Sequence, residues 1–323
     1  MFNFDHPIEL QNSNGNDLFM AGEILIDMIS ADYTDDFTCS TYQRFFGGSP
    51  SNIAMNAKKL GIQAIVASAV GGDGLGSYLI NELKNAGIDT GCVQRLADYS
   101  TSMVVVTKSQ ATPTPVFYRG ADYHLSYTAE LEAALLNSKI VHFSCWPLSR
   151  TPARGTIEKI ITTAQMNRLL VCFDPNYHPM LWENGEDGVG YVKSLLGRVD
   201  IVKPSADDAE RLFGKQTPEY YMETFLELGA KLVILTLGKD GALVSNGSET
   251  VRFDTLATSV ADTTGAGDAF WSGFYAAVVQ GHTIRQALTL GFAVSAYKLK
   301  YTGAIADLPK LEVIKDMYGL REE

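Results

Sequence analysis

Short apolar runs alternate with helical patterns along most of the chain. The runs "LFMAGEILIDMI", "AIVASAVG", "KIVHFSC", "LLVCFDP", "VDIVKPS" and "KLVILTLG" are largely apolar at successive positions, as strands covered on both faces are. Segments with helical spacing follow them, such as "SPSNIAMNAKKLG", which has Ile53, Ala57 and Leu60 on one face and ends at Gly61. Because strands that alternate with helices form parallel βαβ units, the pattern predicts an α/β fold with a doubly wound, mostly parallel sheet.

Two stretches depart from this alternation. Residues 33–46 and 93–120 are rich in Thr, Val, Tyr and Phe and have no helical period, which favours strands or hairpins outside the main sheet. We expect them to pair as a small β lid over the edge of the sheet. The alternative is a pair of long surface loops, but long structureless loops are uncommon in compact domains. With no repeat or interdomain linker, residues 1–323 are predicted to form one domain.

Composition narrows the classes of partner. Hydrophobic residues make up 46% of the chain and charged residues 20%, as in a globular protein with a sizeable core. The 26 Lys and Arg against 37 Asp and Glu give a net charge of −11, which argues against binding to nucleic acid and to anionic membranes.

The cysteines and the beginning of the chain predict its compartment. The four cysteines show no CxxC spacing, so we expect free thiols in a reducing compartment. The first residues, "MFNFDHPIELQNSNGND", lack a basic region followed by an apolar run, and no stretch reaches membrane-spanning length. The prediction is a cytoplasmic protein.

The segment "DTTGAGDAFWSGF" carries the first candidate chemistry. Apolar residues at helical spacing predict a helix that begins between Gly265 and Asp268. Free N–H groups at a helix start bind anions, and glycines allow a ligand to approach them closely. Asp268 in this first turn can accept a proton from a hydroxyl group near the anion, or it can be an ordinary capping acid.

Two further polar features lie where a ligand could bind. Gly47 and Gly48 precede a helix on which Asn52 and Asn56 are one turn apart, and amides suit a polyol. Asp27 lies within the apolar run "ILIDMI", where an unpaired carboxylate is costly. We expect it at the carboxyl end of a strand, facing the crevice of the sheet. Alternatively, Asn52 and Asn56 are solvated amides on an ordinary capped helix, and Asp27 is a structural residue paired with a local arginine or N–H group.

Two segments of this chain resemble the signatures of a known family. The stretch Gly-Gly-Ser-Pro-Ser-Asn before "IAMNAKKLG" and the late "DTTGAGDAF" resemble those of the ribokinase-like (PfkB) carbohydrate kinases. Their order, their separation and the chain length also fit, so the resemblance covers essentially the whole sequence. "GEILIDMI" and "FDPNYHPMLW" at 173–182 are most similar to the fructokinase-type branch.

The resemblance implies roles for individual residues. Asp268 would be the general base on the sugar hydroxyl. The anion hole for the γ-phosphate would consist of Gly265, Ala266 and Gly267. The implied sugar contacts are Asp27, Gly48, Asn52 and Asn176, to which we add Arg119 as a residue that either reaches the sugar from the lid or is an exposed lid arginine.

The same resemblance implies ATP and Mg²⁺ as cofactors. Thr236 and Gly238 in "LTLGKDGALV", with Lys203 and Ser205, fall in the segments for the nucleotide. The metal segment is usually Asn-x-x-Glu and here reads Ser205-x-x-Asp208, so the carboxylate that helps to place Mg²⁺, through water, is Asp208. Asp262 and Thr264 match positions that hold a monovalent cation, commonly potassium, in some members.

The acceptor is predicted to be a neutral ketohexose, D-fructose first. His178 stands where "DPNY" is often followed by Arg in this branch, and a largely neutral histidine does not suit an acid sugar. 2-Keto-3-deoxygluconate stays an alternative because Arg119 could supply a cation. A non-catalytic binding protein is a further alternative, but the intact Gly-Ala-Gly-Asp with the base Asp268 argues against it.

Two further expectations follow. A nicotinamide-dependent oxidoreductase is discounted, because the first strand is not followed by G-x-G-x-x-G. Exposed strand edges on the lid predict a homodimer that forms through it.

Overall fold

The strands form two separate sheets, and helices cover the larger one. The computed structural model describes residues 2–11, 15–34, 37–108 and 115–320. Within these residues, the strands are β1 Asn16–Ala21, β2 Leu25–Tyr33, β3 Tyr42–Gly47, β4 Ala64–Gly71, β5 Val93–Leu96, β6 Met103–Lys108, β7 Val116–Tyr118, β8 Ser138–Ser144, β9 Leu170–Asp174, β10 Ile201–Val202, β11 Leu232–Thr236, β12 Ala242–Ser245 and β13 Thr250–Phe253. The helices are α1 Ser49–Lys59, α2 Gly74–Asn85, α3 Ala129–Leu136, α4 Cys145–Leu148, α5 Ala153–Met166, α6 Gly188–Leu195, α7 Ala206–Phe213, α8 Pro218–Glu227, α9 Ala266–Val279, α10 Ile284–Lys298 and α11 Leu311–Met317.

The large sheet has nine strands in the order β13-β12-β11-β10-β9-β8-β1-β4-β5. Its pairs are parallel from β5 to β11, and only β11-β12 and β12-β13 are antiparallel. The strand order reverses at β1, which lies between β8 and β4. Such a reversal opens a crevice at the carboxyl ends of the strands, where ligands bind in open α/β sheets.

Alternate residues of each central strand enter different cores. In β1, Leu18 and Met20 pack on the face covered by α1, α2, α9, α10 and α11, whereas Phe19 and Ala21 pack on the face covered by α3 to α8. Because side chains alternate along a strand, a strand between two helical layers has to be apolar throughout. The predicted doubly wound sheet is confirmed.

The small sheet differs from the expected lid in its strands. Its order is β3-β2-β6-β7, with β2 and β6 parallel and both outer pairs antiparallel. The chain leaves the large sheet after Ala21 and enters the small one at Leu25, so "LFMAGEILIDMI" forms two strands rather than one. Residues 93–96, assigned to the lid from the sequence, form β5 at the edge of the large sheet. Within the two predicted lid ranges, residues 35–36 and 109–114 lie outside the described residues.

The four cysteines are free, and Cys92, Cys145 and Cys172 are buried. Of the helices in the described part of the chain, none combines the length and the apolar character needed to cross a bilayer.

Candidate active site

The amino end of α9 presents free backbone N–H groups. Gly265 caps the helix with φ 75°, a left-handed conformation that glycine adopts without strain. Ala266 donates its N–H to the carbonyl of Thr263 at 3.1 Å, but within the described residues the N–H groups of Gly265, Gly267 and Asp268 have no acceptor. Three donors therefore converge on one place at a helix start, as an anion site requires.

Asp268 is nearly buried at this helix start, with 8% of its surface exposed. Its Oδ1 accepts a hydrogen bond from the Ser49 hydroxyl at 2.6 Å, and its Oδ2 accepts one from Nδ2 of Asn52 at 3.0 Å. Burial raises the pKa of Asp268, while these two donors and the charges of Lys203 and Lys298 oppose the rise. Side-chain donors on α1 thus hold the carboxylate next to the free N–H groups of α9.

Asp27 faces the same place from the small sheet. It pairs with Phe45 of β3 and Val104 of β6, so it is not at the end of a strand of the large sheet, as the sequence had suggested. Burial raises the pKa of Asp27 to about 7, and the negative charge of Asp268 adds to the shift. A β-carbon at Gly47 would lie 2.3 Å from Oδ2 of Asp27, so a side chain there would displace the carboxylate.

The turn between β3 and α1 is held by Glu23. Oε1 of Glu23 accepts the N–H of Ser49 at 3.2 Å, and Oε2 is buried without a partner in the described residues. Burial raises the pKa of Glu23 to about 8. Gly48 has φ 105°, and a β-carbon there would lie 2.3 Å from the carbonyl oxygen of Glu23. Only glycine fits this position, which places Ser49 and Asn52 under the base.

A buried ion pair lies on the other side of the anion site. Nζ of Lys203, after β10, is 2.9 Å from Oδ2 of Asp174 at the end of β9, and Nε1 of Trp271 donates to the same oxygen at 2.8 Å. A β-carbon at Gly267 would lie 3.3 Å from this Nζ, so the lysine borders the free N–H groups. Oδ1 of Asp174 is buried and has no partner in the described part of the chain.

The predicted metal segment is closed by its own hydrogen bonds. Oδ1 of Asp208 accepts the N–H of Tyr177 at 2.7 Å, and Oδ2 accepts the N–H and the hydroxyl of Ser205 at 2.9 and 2.6 Å. Burial raises the pKa of Asp208, with the negative charge of Asp174 next in importance. Ser205 and Asp208 form the capping box of α7, which is the local reason for their spacing.

The predicted nucleotide residues lie beside this cap. Thr236 ends β11, forms a bridge with Ser205 and donates its N–H to the carbonyl of Pro204 at 3.0 Å. Gly238 begins a short 3₁₀ turn with φ 60°. Lys203, Ser205, Thr236 and Gly238 therefore follow neighbouring strands at the carboxyl edge of the large sheet.

Arg119 is held inside the protein by its own hydrogen bonds. Its guanidinium donates from Nε to Asp122 at 2.7 Å, from Nη1 to the hydroxyl of Ser149 at 3.0 Å and from Nη2 to the carbonyl of Trp146 at 3.2 Å. Only 2% of its side chain is exposed. Arg119 is therefore not the exposed lid arginine of the second alternative, and a buried ion pair and two further acceptors fix its guanidinium.

The loop after β9 reaches the small sheet. His178 packs edge-on against Phe117 of β7, with 5.6 Å between the ring centroids. Burial lowers the pKa of His178, and the nearby charge of Arg211 lowers it further, so the imidazole is neutral at pH 7. Asn176 in the same loop is exposed and has φ 40°, a conformation that asparagine tolerates better than most residues.

Asp262 and Thr264 form a closed turn. Oδ1 of Asp262 accepts the N–H of Thr264 at 2.9 Å, and Oδ2 accepts the N–H of Gly303 at 2.8 Å. The main-chain carbonyl oxygen of Asp262 accepts Nζ of Lys298 at 2.9 Å. The described residues contain no cluster of three or more His, Cys, Asp or Glu side chains able to hold a metal ion.

Four residues of the site were not found by sequence reasoning: Glu23, Ser49, Asp174 and Lys298. Ser49 is part of the Gly-Gly-Ser-Pro-Ser-Asn stretch, and Asp174 belongs to "FDPNY", so their positions were marked but not their roles. Lys298 ends the otherwise apolar run "GFAVSAYK", and a lone charge in such a run was a signal that could have been used.

Comparison with known proteins gives a consistent result. Residues 16–311 match the family described as pfkB family carbohydrate kinase. The chain is 59% identical over 322 residues to an ATP-dependent 6-phosphofructokinase of Thermoanaerobacterium thermosaccharolyticum, covering 100% of this chain and 99% of that protein. It is 42% identical to the fructokinase structure from Halothermothrix orenii, with a TM-score of 0.78 and coverage of 85% and 97%. A candidate ribokinase II from E. coli in complex with ATP and Mg²⁺ has 25% identity, a TM-score of 0.83 and coverage of 95% and 100%.

Proposed function

The chain belongs to the pfkB family of carbohydrate kinases, and we propose that it transfers the γ-phosphate of ATP to a hydroxyl group of a ketohexose of the fructose type. The observation that carries this proposal is the placement of Asp268. A carboxylate held by Ser49 and Asn52 borders three N–H groups that have no acceptor among the described residues, and a hydroxyl group and a phosphate can meet there.

The transfer follows from these positions. The carboxylate of Asp268 accepts the proton of the sugar hydroxyl while the hydroxyl oxygen forms a bond to the γ-phosphorus of ATP. The bond between that phosphorus and the oxygen that bridges it to the β-phosphate breaks, which releases ADP. The free N–H groups of Gly265, Gly267 and Asp268 and the ammonium of Lys203 offset the charge on the transferred group. Phosphoryl transfer asks mainly for such positioning and charge stabilisation.

The residues present fit a magnesium ion bound with ATP. Oδ1 of Asp174 is a carboxylate oxygen beside the anion site and has no partner in the described residues, whereas both oxygens of Asp208 accept hydrogen bonds from the protein. Asp174 is therefore the side chain that would hold the ion or one of its waters, with Asp208 behind it. The ion would supply positive charge to the phosphates.

Asp27 and Asn52 are the proposed sugar contacts, with Gly48 shaping the turn beneath them. Burial raises the pKa of Asp27 to about 7, so its carboxyl group can both donate to and accept from sugar hydroxyls near neutral pH, and Oδ1 of Asn52 has no partner among the described residues. Asn176 lies two residues beyond Asp174 and is exposed, so it would contact a sugar only from the outer rim of the site. Thr236 and Gly238, beside Ser205, are proposed to border the nucleotide.

Two forms of the acceptor have support. Fructose 6-phosphate is our first candidate, because the relative at 59% identity is named for that substrate and matches the chain from end to end. Free D-fructose is the second. It is favoured by the fructokinase structure at 42% identity and by the acids Glu23, Asp27 and Asp268, which suit a neutral sugar.

The test is an ADP-release assay with both acceptors, with ribose and with 2-keto-3-deoxygluconate. We expect Asp268→Asn to lower kcat by about 10²–10⁴-fold, as loss of a general base does, while the protein stays folded. Asp254→Asn is the matched control, because 96% of that side chain is exposed. Near-normal turnover of Asp268→Asn would falsify the role of Asp268 as the base. The sugar for which the unmodified protein has the largest kcat/KM is identified as the acceptor.

A further inference from the structure

Lys298 is a fully buried lysine at the end of α10. Its exposed fraction is 0%, and its Nζ donates to the main-chain oxygen of Asp262 at 2.9 Å. No ion pair to Lys298 lies within 4.0 Å in the described parts of the chain. A lysine is almost never buried without a partner, since removing its charge from water is costly. The position therefore calls for a function.

The ammonium lies beneath the loop that leads into the anion site. From the same helix, the hydroxyl of Ser295 donates to the carbonyl of Ala266 at 3.0 Å. On the other side, a β-carbon at Gly265 would lie 2.6 Å from Cα of Ala304, so the two loops are in close contact. The end of α10 and residues 301–304 thus support residues 262–268 from behind.

The charge of Lys298 acts on the base. Burial lowers the pKa of Lys298, and the negative charges of Asp262 and Asp268 oppose this change. In turn, the charge of Lys298 opposes the rise in the pKa of Asp268. Within the described residues, Asp262 and Asp268 are the charged groups that act on Lys298, and both favour its ammonium form against the larger effect of burial.

The residues around Asp262 do not fit a bound potassium ion. Potassium sites are built from oxygen atoms that replace the water of the ion. Here both carboxylate oxygens of Asp262 accept N–H groups, from Thr264 and Gly303, and its carbonyl oxygen accepts the ammonium. At the predicted cation site of Asp262 and Thr264, the carbonyl oxygen of Asp262 thus already binds one positive charge, which would repel a potassium ion beside it.

We propose that Lys298 is a positioning residue whose ammonium holds the carbonyl of Asp262 and supplies the positive charge beneath the anion site, so that phosphoryl transfer needs no added monovalent cation. This inference rests on the proposed kinase function. No step of the transfer passes through Lys298, which acts through the loop 262–268 and through the field at Asp268.

The first experiment uses the unmodified protein. Initial rates are measured in choline chloride, NaCl and KCl at equal ionic strength. We expect rates within about twofold of one another, because the protein carries its own cation. Activation by K⁺ of about tenfold or more would overturn the inference, and absence of turnover in every salt would instead contradict the proposed function.

The second experiment removes the charge. Lys298→Met keeps most of the side-chain volume, and we expect kcat to fall about tenfold or more with the sugar KM within about twofold. Lys298→Ala leaves a space, so ethylammonium should restore part of its rate, whereas the filled site of Lys298→Met should not respond. Lys300→Met is the control, because that lysine is two residues away and exposed.

A merely structural lysine gives a different result. In that case the losses of rate would follow the losses of melting temperature measured by circular dichroism, and ethylammonium would restore nothing. Either finding overturns the inference. If the variants do not fold, the salt comparison on the unmodified protein still decides it.

Discussion

At the scale of single residues, the sequence located motif residues better than isolated buried charges. The position of Asp268 could be predicted because its glycines and the helix start after it are local. The burial of Arg119 and Lys298 could not be predicted locally. Arg119 has its ion-pair partner Asp122 three residues away but also bonds Ser149, 30 residues away, and Lys298 bonds Asp262, 36 residues away. Burial of a long cation depends on distant contacts that no short pattern contains.

Ser49 tunes the base, and its loss has a predictable sign. Its hydroxyl stabilises the charged form of Asp268, so Ser49→Ala should raise the pKa of that carboxyl further. Because the ionised carboxylate is the active form, the acid limb of kcat/KM should move to higher pH, and the rate should recover at alkaline pH. The measurement is a pH profile of both proteins.

Ser51→Ala is the control for this profile, because the Ser51 hydroxyl bonds the carbonyls of Gly47 and Gly48 instead. An acid limb of Ser49→Ala that stays in place, or that moves to lower pH, would show that the hydroxyl does not act on the base.

At the scale of elements, predictions succeeded where one element has one environment. The helix starts before Asn52 and between Gly265 and Asp268 were confirmed, as were the apolar strands of the large sheet. The failure came at Gly22, where "LFMAGEILIDMI" changes sheets. The strands on both sides of Gly22 are apolar, so hydrophobicity did not indicate the boundary between β1 and β2. A single glycine is only a weak signal that a strand ends.

The start of α9 offers a matched pair of substitutions. Gly267→Ala places a methyl group 3.3 Å from Nζ of Lys203 in a helical conformation, so it should keep or gain stability but lower kcat/KM for ATP. Gly265→Ala has to adopt φ 75° and brings a β-carbon within 2.6 Å of Ala304, so it should cost about 1–3 kcal/mol of unfolding free energy.

Urea unfolding and ATP kinetics on both variants test this pair. If both variants lost the same unfolding free energy, both glycines would be required by the backbone of the helix start, and Gly267 would not be reserved for a ligand. An unchanged kcat/KM for ATP in Gly267→Ala would contradict the proposal that a phosphate of ATP binds at the start of α9.

At the scale of the whole molecule, β3 and β7 form the two edges of the small sheet, and neither pairs with a further strand among the described residues. Large apolar side chains are exposed on and near it, namely Tyr33 at 72%, Tyr118 at 57% and Phe37 at 50%. Exposed strand edges with apolar side chains invite pairing with another chain. We propose that a second copy of the protein covers this sheet.

The expected mass in light scattering is therefore twice the 35.2 kDa of one chain. Tyr118→Lys should shift the protein toward the monomer, because a lysine on an edge strand opposes pairing. Tyr220→Lys on α8 is the control, since that tyrosine is also exposed, at 46%, but lies far along the chain from the small sheet. A monomeric unmodified protein would contradict the proposal.

The crossing from one sheet to the other passes through three residues, Gly22 to Ile24, and a β-carbon at Gly22 would lie 2.8 Å from the ring of Pro50 at the start of α1. The proposed acceptor contact Asp27 lies in the small sheet and the proposed base Asp268 lies in α9, and the chain also crosses between them at Gly47 and Gly48. A different angle between the two sheets would therefore change the distance from a bound sugar to the base.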